Sequence, residues 1–177
     1  MSVCDGLVHL RRAGESDARG IAEVHVRSWR QAYRGLMPDA VLDSLDVDVR
    51  ERFWHREISL TNHDRRPWLA ADSDGDVVGF VSAGPADNQP SSQTGEIYAI
   101  YVLAECWDRG VGRSLLQHAV RDLREHGYAE GTLWVLATNE RARDFYEAAS
   151  WHADGAERTE TFGGAELREV RYQKALH

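Results

Sequence analysis

The spacing of apolar residues predicts strands and helices along the whole chain. Runs with a period of two predict strands, and apolar residues three and four apart predict amphipathic helices. The predicted order is one strand, a group of helices, three strands, a helix, a strand, a second helix and two strands. The predicted strands cover residues 8–11, 68–71, 77–83, 97–103, 132–137, 158–162 and 167–174. Hairpins at both ends and a βαβ unit between them predict a mixed sheet covered by helices.

The helical segments before the second strand are marked by an apolar face and by helix-breaking residues. The first segment carries a stripe at helical spacing: Ile21, Val24, His25 and Ser28. Ser16 or Asp17 is expected to cap this helix by accepting from the next backbone amides. Gly35 and Pro38 end it, Pro38 opens a short helical piece, and a further helix is predicted over 49–58.

A glycine-containing loop lies between a buried strand and a helix. Strand 97–103 is apolar on both faces, which is typical of a central strand covered on both sides. Gly110 and Gly112 follow it, and an amphipathic helix begins there. The first-turn amides of a helix lack intrahelical partners and carry partial positive charge, and glycine lets an anion approach the backbone. The pattern predicts a phosphorylated cofactor; a tight strand-to-helix turn without a ligand is the alternative.

The loop does not match the two best-known phosphate-binding motifs. A dinucleotide-binding motif needs a third glycine, and Leu115 stands at that position. A P-loop needs Gly-Lys-Ser/Thr, and Gly112 is followed by Arg113 and Ser114. The loop therefore indicates neither an NAD-type nor an ATP-type site.

Composition and charge narrow the class of protein further. The 177 residues are 42% apolar and 28% charged, which is typical of one globular domain over 1–177. The formal net charge of −8 argues against nucleic acid as a partner. No apolar run has membrane-spanning length, and the N-terminus has no apolar core of a signal peptide. Cys4 and Cys106 have no metal or redox spacing, so two free thiols and a cytoplasmic location are expected. The scattered histidines predict no metal site.

Two segments together resemble the GNAT superfamily of N-acetyltransferases, which use acetyl-CoA. The family pattern is a strand often ending Val-x-Pro, then Gln/Arg-x-x-Gly-x-Gly/Ala, and this chain has VLA at 102–104 and WDRGVG at 107–112. The family later has Asn-x-x-Ala-x-x-Phe-Tyr-Glu-x-x-Gly-Phe, and this chain has NERARDFYEAASW at 139–151. Residues 10–38 also look like the opening of such enzymes. Trp107, Ala104 and Ser150 depart from the pattern, and Ser150 replaces a helix-ending glycine.

The resemblance implies a fold and a cofactor. The implied fold is α/β (mixed α+β), with a largely antiparallel sheet of about seven strands, a central splayed parallel pair and four to five helices. The implied cofactor, acetyl-CoA, would lie with its pantetheine arm beside 100–102 and its pyrophosphate on the amides of 108–113. The implied cofactor-binding residues are Ile100, Tyr101, Val102, Asp108, Arg109, Gly110, Val111, Gly112, Arg113, Ser114, Asn139, Arg143 and Tyr146. The alternatives are that the arginines are ordinary solvated charges and that Asn139 is only a helix cap.

The resemblance also implies one catalytic residue and an acceptor pocket, and a carboxylate at the head of the apolar strand 97–103 suggests a second catalytic residue. Tyr146 is expected near the CoA sulfur as a proton donor, although it could be only a core aromatic beside Phe145. Glu96 is the candidate general base through water; an exposed or ion-paired strand end is the alternative. The implied acceptor pocket is built from Trp29 and Tyr33, with Trp54 and the 84–94 loop as possible additions.

The expected function is acetyl transfer from acetyl-CoA to a primary amine by direct attack in a ternary complex. A non-catalytic CoA-binding sensor is one alternative, and acetylation of a protein N-terminus or lysine is another. The expected partners are a small amine or a peptide amine, with no nucleic acid and no membrane. A homodimer through the C-terminal strands is possible.

Overall fold

The computed structural model describes residues 8–86 and 93–177, which form one seven-stranded sheet with five α-helices in these ranges. The strands are His9–Arg12 (β1), Trp68–Ala71 (β2), Val77–Pro85 (β3), Thr94–Val102 (β4), Glu130–Leu136 (β5), His152–Phe162 (β6) and Ala165–Ala175 (β7). The helices are Ala18–Ala32 (α1), Asp39–Asp43 (α2), Val47–Leu60 (α3), Val111–Glu125 (α4) and Glu140–Ala148 (α5). The order of elements is the predicted one.

The sheet is mixed, with its one parallel pair at the centre. The strand order is β1-β2-β3-β4-β5-β7-β6, β4 and β5 pair in parallel, and the other pairs are antiparallel. Helix α4 lies between β4 and β5 in the chain and provides the long crossover connection that two parallel strands require. The predicted fold class is therefore confirmed.

The two central strands separate along their length. Their pairing runs from Thr94 opposite Glu130 to Ile97 opposite Leu133. Both strands continue beyond that point, β4 to Val102 and β5 to Leu136, without further pairing to each other among the described residues. The predicted splay is confirmed, and it leaves the β5-facing edge of β4 open.

A β-bulge in β4 reverses which side chains face each layer. Ser82 of β3 lies opposite Ala99, whereas the next residue of β3 lies opposite Ile97. The extra residue interrupts the alternation of side chains. A Cβ at Gly95 would meet Leu123 of α4 at 2.6 Å, yet Tyr101, six positions later, stacks on His25 of α1. Residues of β4 on either side of Tyr98 therefore do not follow the regular alternation of a strand.

The helices cover the two faces of the sheet. Helices α1 and α3 pack together and α1 covers β3 and β4, while α4 packs on β2, β3 and β4. The predicted stripe of α1 is buried throughout: Ile21, Val24, His25 and Ser28. Coverage of β4 is incomplete, because Tyr98 is 45% exposed. None of the helices within 8–86 and 93–177 has the length and apolarity to cross a membrane.

Some local predictions differ from the structure. The Asp17 carboxylate accepts from the preceding Gly14 amide and from Arg11, so it does not cap α1 as predicted. Strand β6 begins at His152 rather than at residue 158, because its polar sequence and a register shift hide the strand period. Cys106 is buried and is not a free thiol, so the prediction of a free thiol is wrong for it, and Cys4 lies outside the described residues.

Candidate active site

A cleft of about 1450 Å³ lies where β4 and β5 separate. Its walls come from the end of α1, the open part of β4, the loop into α4, the start of α5 and the β6–β7 hairpin. Most predicted site residues line it: Trp29, Tyr33, Glu96, Ile100, Tyr101, Val102, Asp108, Gly110, Val111, Gly112, Arg113, Asn139 and Tyr146. The predicted Arg109, Ser114 and Arg143 are outside this lining.

The loop before α4 turns the helix start toward the cleft. Gly110 precedes the first helical residue with a φ of 81°, and Asp108 also has a positive φ of 59°. Position 110 favours glycine, because a residue with a Cβ rarely adopts a positive φ. At Gly112 a Cβ would lie 3.5 Å from the Phe145 ring, an ordinary contact distance. Backbone geometry therefore calls for the first glycine of the pair more strongly than for the second.

Trp107 forms part of the wall between this loop and β4. Its Nε1 donates to the Val102 carbonyl oxygen at 2.8 Å. The guanidinium carbon of Arg141, in the first turn of α5, lies 3.2 Å from the centre of a Trp107 ring. Both side chains line the cleft. The sequence reasoning did not single out Arg141, because its neighbour Trp107 is distant in the chain.

Tyr146 lies on α5 and is buried, with 8% of its surface exposed. Burial raises the pKa of Tyr146, and the nearby Tyr101 hydroxyl adds to this shift. The phenol is therefore protonated at neutral pH and can donate a hydrogen bond or a proton. The Asn139 side chain caps the same helix by accepting from the Ala142 amide at 3.1 Å, and it also lines the cleft.

Aromatic rings form the wall contributed by α1. The Trp29 ring lies 5.2 Å from Tyr33, 6.1 Å from Tyr101 and 5.0 Å from Phe162, measured between ring centres. Burial raises the pKa of both Tyr33 and Tyr101, so both hydroxyls are neutral donors and acceptors near pH 7. His25 lies behind this wall with 6% exposure, and its Nδ1 accepts from the Trp54 indole at 3.2 Å.

Three of the carboxylates that line the cleft lie on strands. Glu96 lies on β4, and the bulge places it on the same face as Tyr101. Glu160 and Glu169 come from the β6–β7 hairpin, where Arg158 lies 3.4 Å from the first and 2.7 Å from the second. The hairpin carboxylates were missed by sequence reasoning, since nothing in their local sequence indicates that β7 joins β5.

Arg143 is engaged away from the cleft. Its Nε donates to the Tyr172 hydroxyl at 3.1 Å, and its Nη1 donates to the Ala137 carbonyl at 3.1 Å. Tyr172 in turn donates to Glu147 at 2.6 Å. These bonds tie α5 to β7 and to the end of β5. Within 8–86 and 93–177, no group of three or more His, Cys, Asp or Glu side chains could hold a metal ion.

Residues 25–150 match the model of the acetyltransferase (GNAT) family. The chain belongs to this family. It is 35% identical over 164 residues to the uncharacterised N-acetyltransferase YuaI of Bacillus subtilis, covering 93% of this chain and 91% of that protein.

Solved structures show the same fold as this GNAT chain. The PaiA N-acetyltransferase of Thermoplasma acidophilum, solved with coenzyme A, superimposes with a TM-score of 0.71 at 20% identity, over 96% of this chain and 99% of that one. YncA of Salmonella typhimurium, solved with acetyl-CoA, gives a TM-score of 0.71 at 20% identity, over 97% and 95% of the chains.

Proposed function

We propose that this chain is an N-acetyltransferase that transfers the acetyl group of acetyl-CoA to a primary amine in a ternary complex. The observation that carries the proposal is one continuous cleft that joins the open edge of β4 to the first turn of α4. Membership of the GNAT family and the coenzyme A complexes of two proteins of the same fold support acetyl-CoA as the donor.

The cleft fits the two chemical parts of the donor. The pantetheine arm is an extended chain with amide groups, and the unpaired edge of β4 around Ile100 and Tyr101 offers backbone groups to it. The pyrophosphate is an anion, and the amides of 108–113 with the dipole of α4 favour an anion at the helix start. A β4 backbone amide beside the thioester would also stabilise the oxyanion of the tetrahedral intermediate.

Two side chains are proposed to move protons. The amine nitrogen attacks the thioester carbon, and the carbon–sulfur bond breaks when the tetrahedral intermediate collapses. Glu96 accepts the proton lost by nitrogen, through a water molecule, and Tyr146 donates a proton to the leaving sulfur. The raised pKa of Tyr146 keeps the phenol protonated, and the proton released by the amine restores it after each cycle.

The acceptor is proposed to lie between α1 and the β6–β7 hairpin. Trp29 and Tyr33 offer apolar ring surface there. Glu160 and Glu169 contact Arg158, and the guanidinium carbon of Arg50 lies 5.9 Å from the Trp29 ring centre. The two carboxylates and the two guanidiniums balance in charge, so the aromatic rings are the main feature of this wall, and they favour an amine that carries apolar surface. The 84–94 loop belongs to the predicted pocket, but residues 87–92 of it lie outside the described residues.

Calorimetric titration with acetyl-CoA, NAD and ATP tests the donor assignment. We expect saturable binding of acetyl-CoA and none of NAD or ATP at the same concentrations. A chain that binds NAD or ATP, or that fails to bind acetyl-CoA, contradicts the proposal. A panel of small amines and peptide amines, followed by release of the CoA thiol, then separates a small-molecule acceptor from a protein acceptor.

A further inference from the structure

Arg141 has hydrogen-bond donors that no described residue uses. Its guanidinium stacks on the Trp107 ring and is attracted by the negative charge of Asp108. It makes no hydrogen bond or salt bridge to any residue within 8–86 and 93–177. A guanidinium carries five N–H donors in one plane and cannot be deprotonated in proteins. Because Arg141 lines the cleft, these donors are available to an anion that enters it.

Trp107 holds the guanidinium in one place. The indole is fixed at the end of β4 by its bond to the Val102 carbonyl, 2.8 Å long. The guanidinium carbon lies 3.2 Å from the ring centre, well inside the range of a cation–π contact. A side chain held in this way loses less conformational freedom on binding a ligand than a mobile surface arginine does.

The position of the pair indicates which anion it meets. Trp107 opens the 107–110 loop that leads to the first turn of α4, so Arg141 faces the same part of the cleft as the helix-start amides. Arg113 also lines the cleft, whereas Arg109 does not. A phosphate group on the amides of α4 therefore has Arg141 beside it, and arginine binds phosphate through two parallel N–H donors.

We propose that Arg141 binds the pyrophosphate of acetyl-CoA and that Trp107 is the positioning residue that holds the guanidinium over the loop. The inference rests on the proposed function, since it takes acetyl-CoA as the donor. The pyrophosphate would then be bound by an α5 side chain as well as by the backbone amides of the loop before α4.

The test compares three ligands against the full chain. Coenzyme A carries the pyrophosphate and the 3′-phosphate, dephospho-coenzyme A lacks the 3′-phosphate, and pantetheine lacks both. Calorimetry gives the affinity for the first two, and an NMR titration gives the weaker affinity for pantetheine. For Arg141→Gln we expect about a 10- to 100-fold loss for both coenzymes, the size of a lost charge-assisted hydrogen bond, and no change for pantetheine.

Further variants separate the role of the Arg141 charge from that of the Trp107 ring on which the guanidinium stacks. Arg141→Lys keeps the charge but not the planar fork, so a smaller loss is expected. Trp107→Leu removes this ring, and a double-mutant cycle should show that Arg141→Gln costs less coenzyme affinity in the Trp107→Leu background. Arg56→Gln is the control, because Arg56 is an exposed arginine of α3 outside the cleft and its loss changes the net charge equally.

Each outcome decides the proposal. Unchanged coenzyme affinity of Arg141→Gln overturns it, as does an equal loss for pantetheine, which would indicate a structural role. A loss confined to full coenzyme A would move the contact to the 3′-phosphate and overturn the pyrophosphate assignment. Failure of the wild-type chain to bind coenzyme A would instead contradict the proposed function, so the two failures are distinguishable.

Discussion

Replacing Ser150 by glycine is expected to stabilise the fold, because Ser150 holds a backbone conformation that suits glycine. Its φ is 63°, in the left-handed region. Its amide donates to the Glu147 carbonyl at 2.9 Å, and the Trp151 amide donates to the Tyr146 carbonyl at 3.0 Å. These two bonds form a Schellman motif at the end of α5, with Ser150 at the position where glycine is preferred.

Helix α4 ends in the same motif with glycine in place, which provides a matched control. Gly127 has a φ of 85°, its amide donates to the Arg124 carbonyl at 2.9 Å, and the Tyr128 amide donates to the Leu123 carbonyl at 3.0 Å. A Cβ at Gly127 would meet nothing within 4 Å, so a substitution there tests the backbone angle without a steric clash.

The expected change in the free energy of unfolding is the difference between two opposing contributions. A left-handed conformation costs a residue with a Cβ about 1–2 kcal/mol. Glycine loses about 0.4–1 kcal/mol more backbone entropy on folding. Ser150→Gly should therefore raise the free energy of unfolding by about 1 kcal/mol, which is about 2–4 °C in Tm for a chain of this size. Gly127→Ser should lower it by a similar amount.

Urea denaturation followed by circular dichroism measures both variants. We expect the midpoints to move in opposite directions with an unchanged slope, since the surface exposed on unfolding does not change. A Ser150→Gly variant that is less stable than wild type would show that the left-handed backbone at Ser150 costs no stability. Equal destabilisation by both changes would also contradict the prediction, since it would show that the Ser150 hydroxyl matters more than its backbone angle.

Two residues proposed to transfer protons and one buried histidine can also be tested by substitution. Tyr146→Phe should lower kcat by about 100-fold or more while the calorimetric Kd for acetyl-CoA stays unchanged; an unchanged kcat removes Tyr146 from the mechanism. Glu96→Gln should abolish the acidic limb of the pH–kcat/KM profile, and an unmoved profile rules out Glu96 as the base. Burial lowers the pKa of His25 to about 3, so the folded state binds fewer protons than the unfolded state between about pH 3 and pH 6.5 and loses stability as the pH falls through that window. His25→Gln keeps an acceptor for Trp54 and should remove about 2 kcal/mol of the stability difference between pH 7 and pH 5, measured by urea unfolding; an identical pH dependence would show that His25 is not the group responsible.

The parts of the fold that local sequence determines could be predicted. The apolar stripe of α1, the Asn139 cap of α5 and the glycine at the start of α4 each act through neighbours a few residues away. The left-handed backbone at Ser150 could also be anticipated, because a serine stands there in place of a helix-ending glycine. The interactions that determine these features all lie within a single short stretch of sequence.

The parts of the site that depend on distant pairing could not be predicted. The bulge near Tyr98 arises from the register of β3 against β4, and the period of one strand does not encode it. Arg141 meets Trp107 only after the central strands separate, and Glu169 reaches the cleft only because β7 pairs with β5. Each of these contacts joins segments that are far apart in sequence.

A turnover assay with two readouts tests whether this chain transfers acetyl groups to amines. The purified chain is incubated with acetyl-CoA and a panel of small amines and peptide amines. Thiol release and the mass of the amine product are followed together, with Tyr146→Phe run in parallel. We expect equal amounts of thiol and N-acetylated amine, with both strongly reduced in the variant. Tight binding of acetyl-CoA without any acetylated product, across both small amines and peptides, would contradict this expectation and favour a CoA-binding sensor.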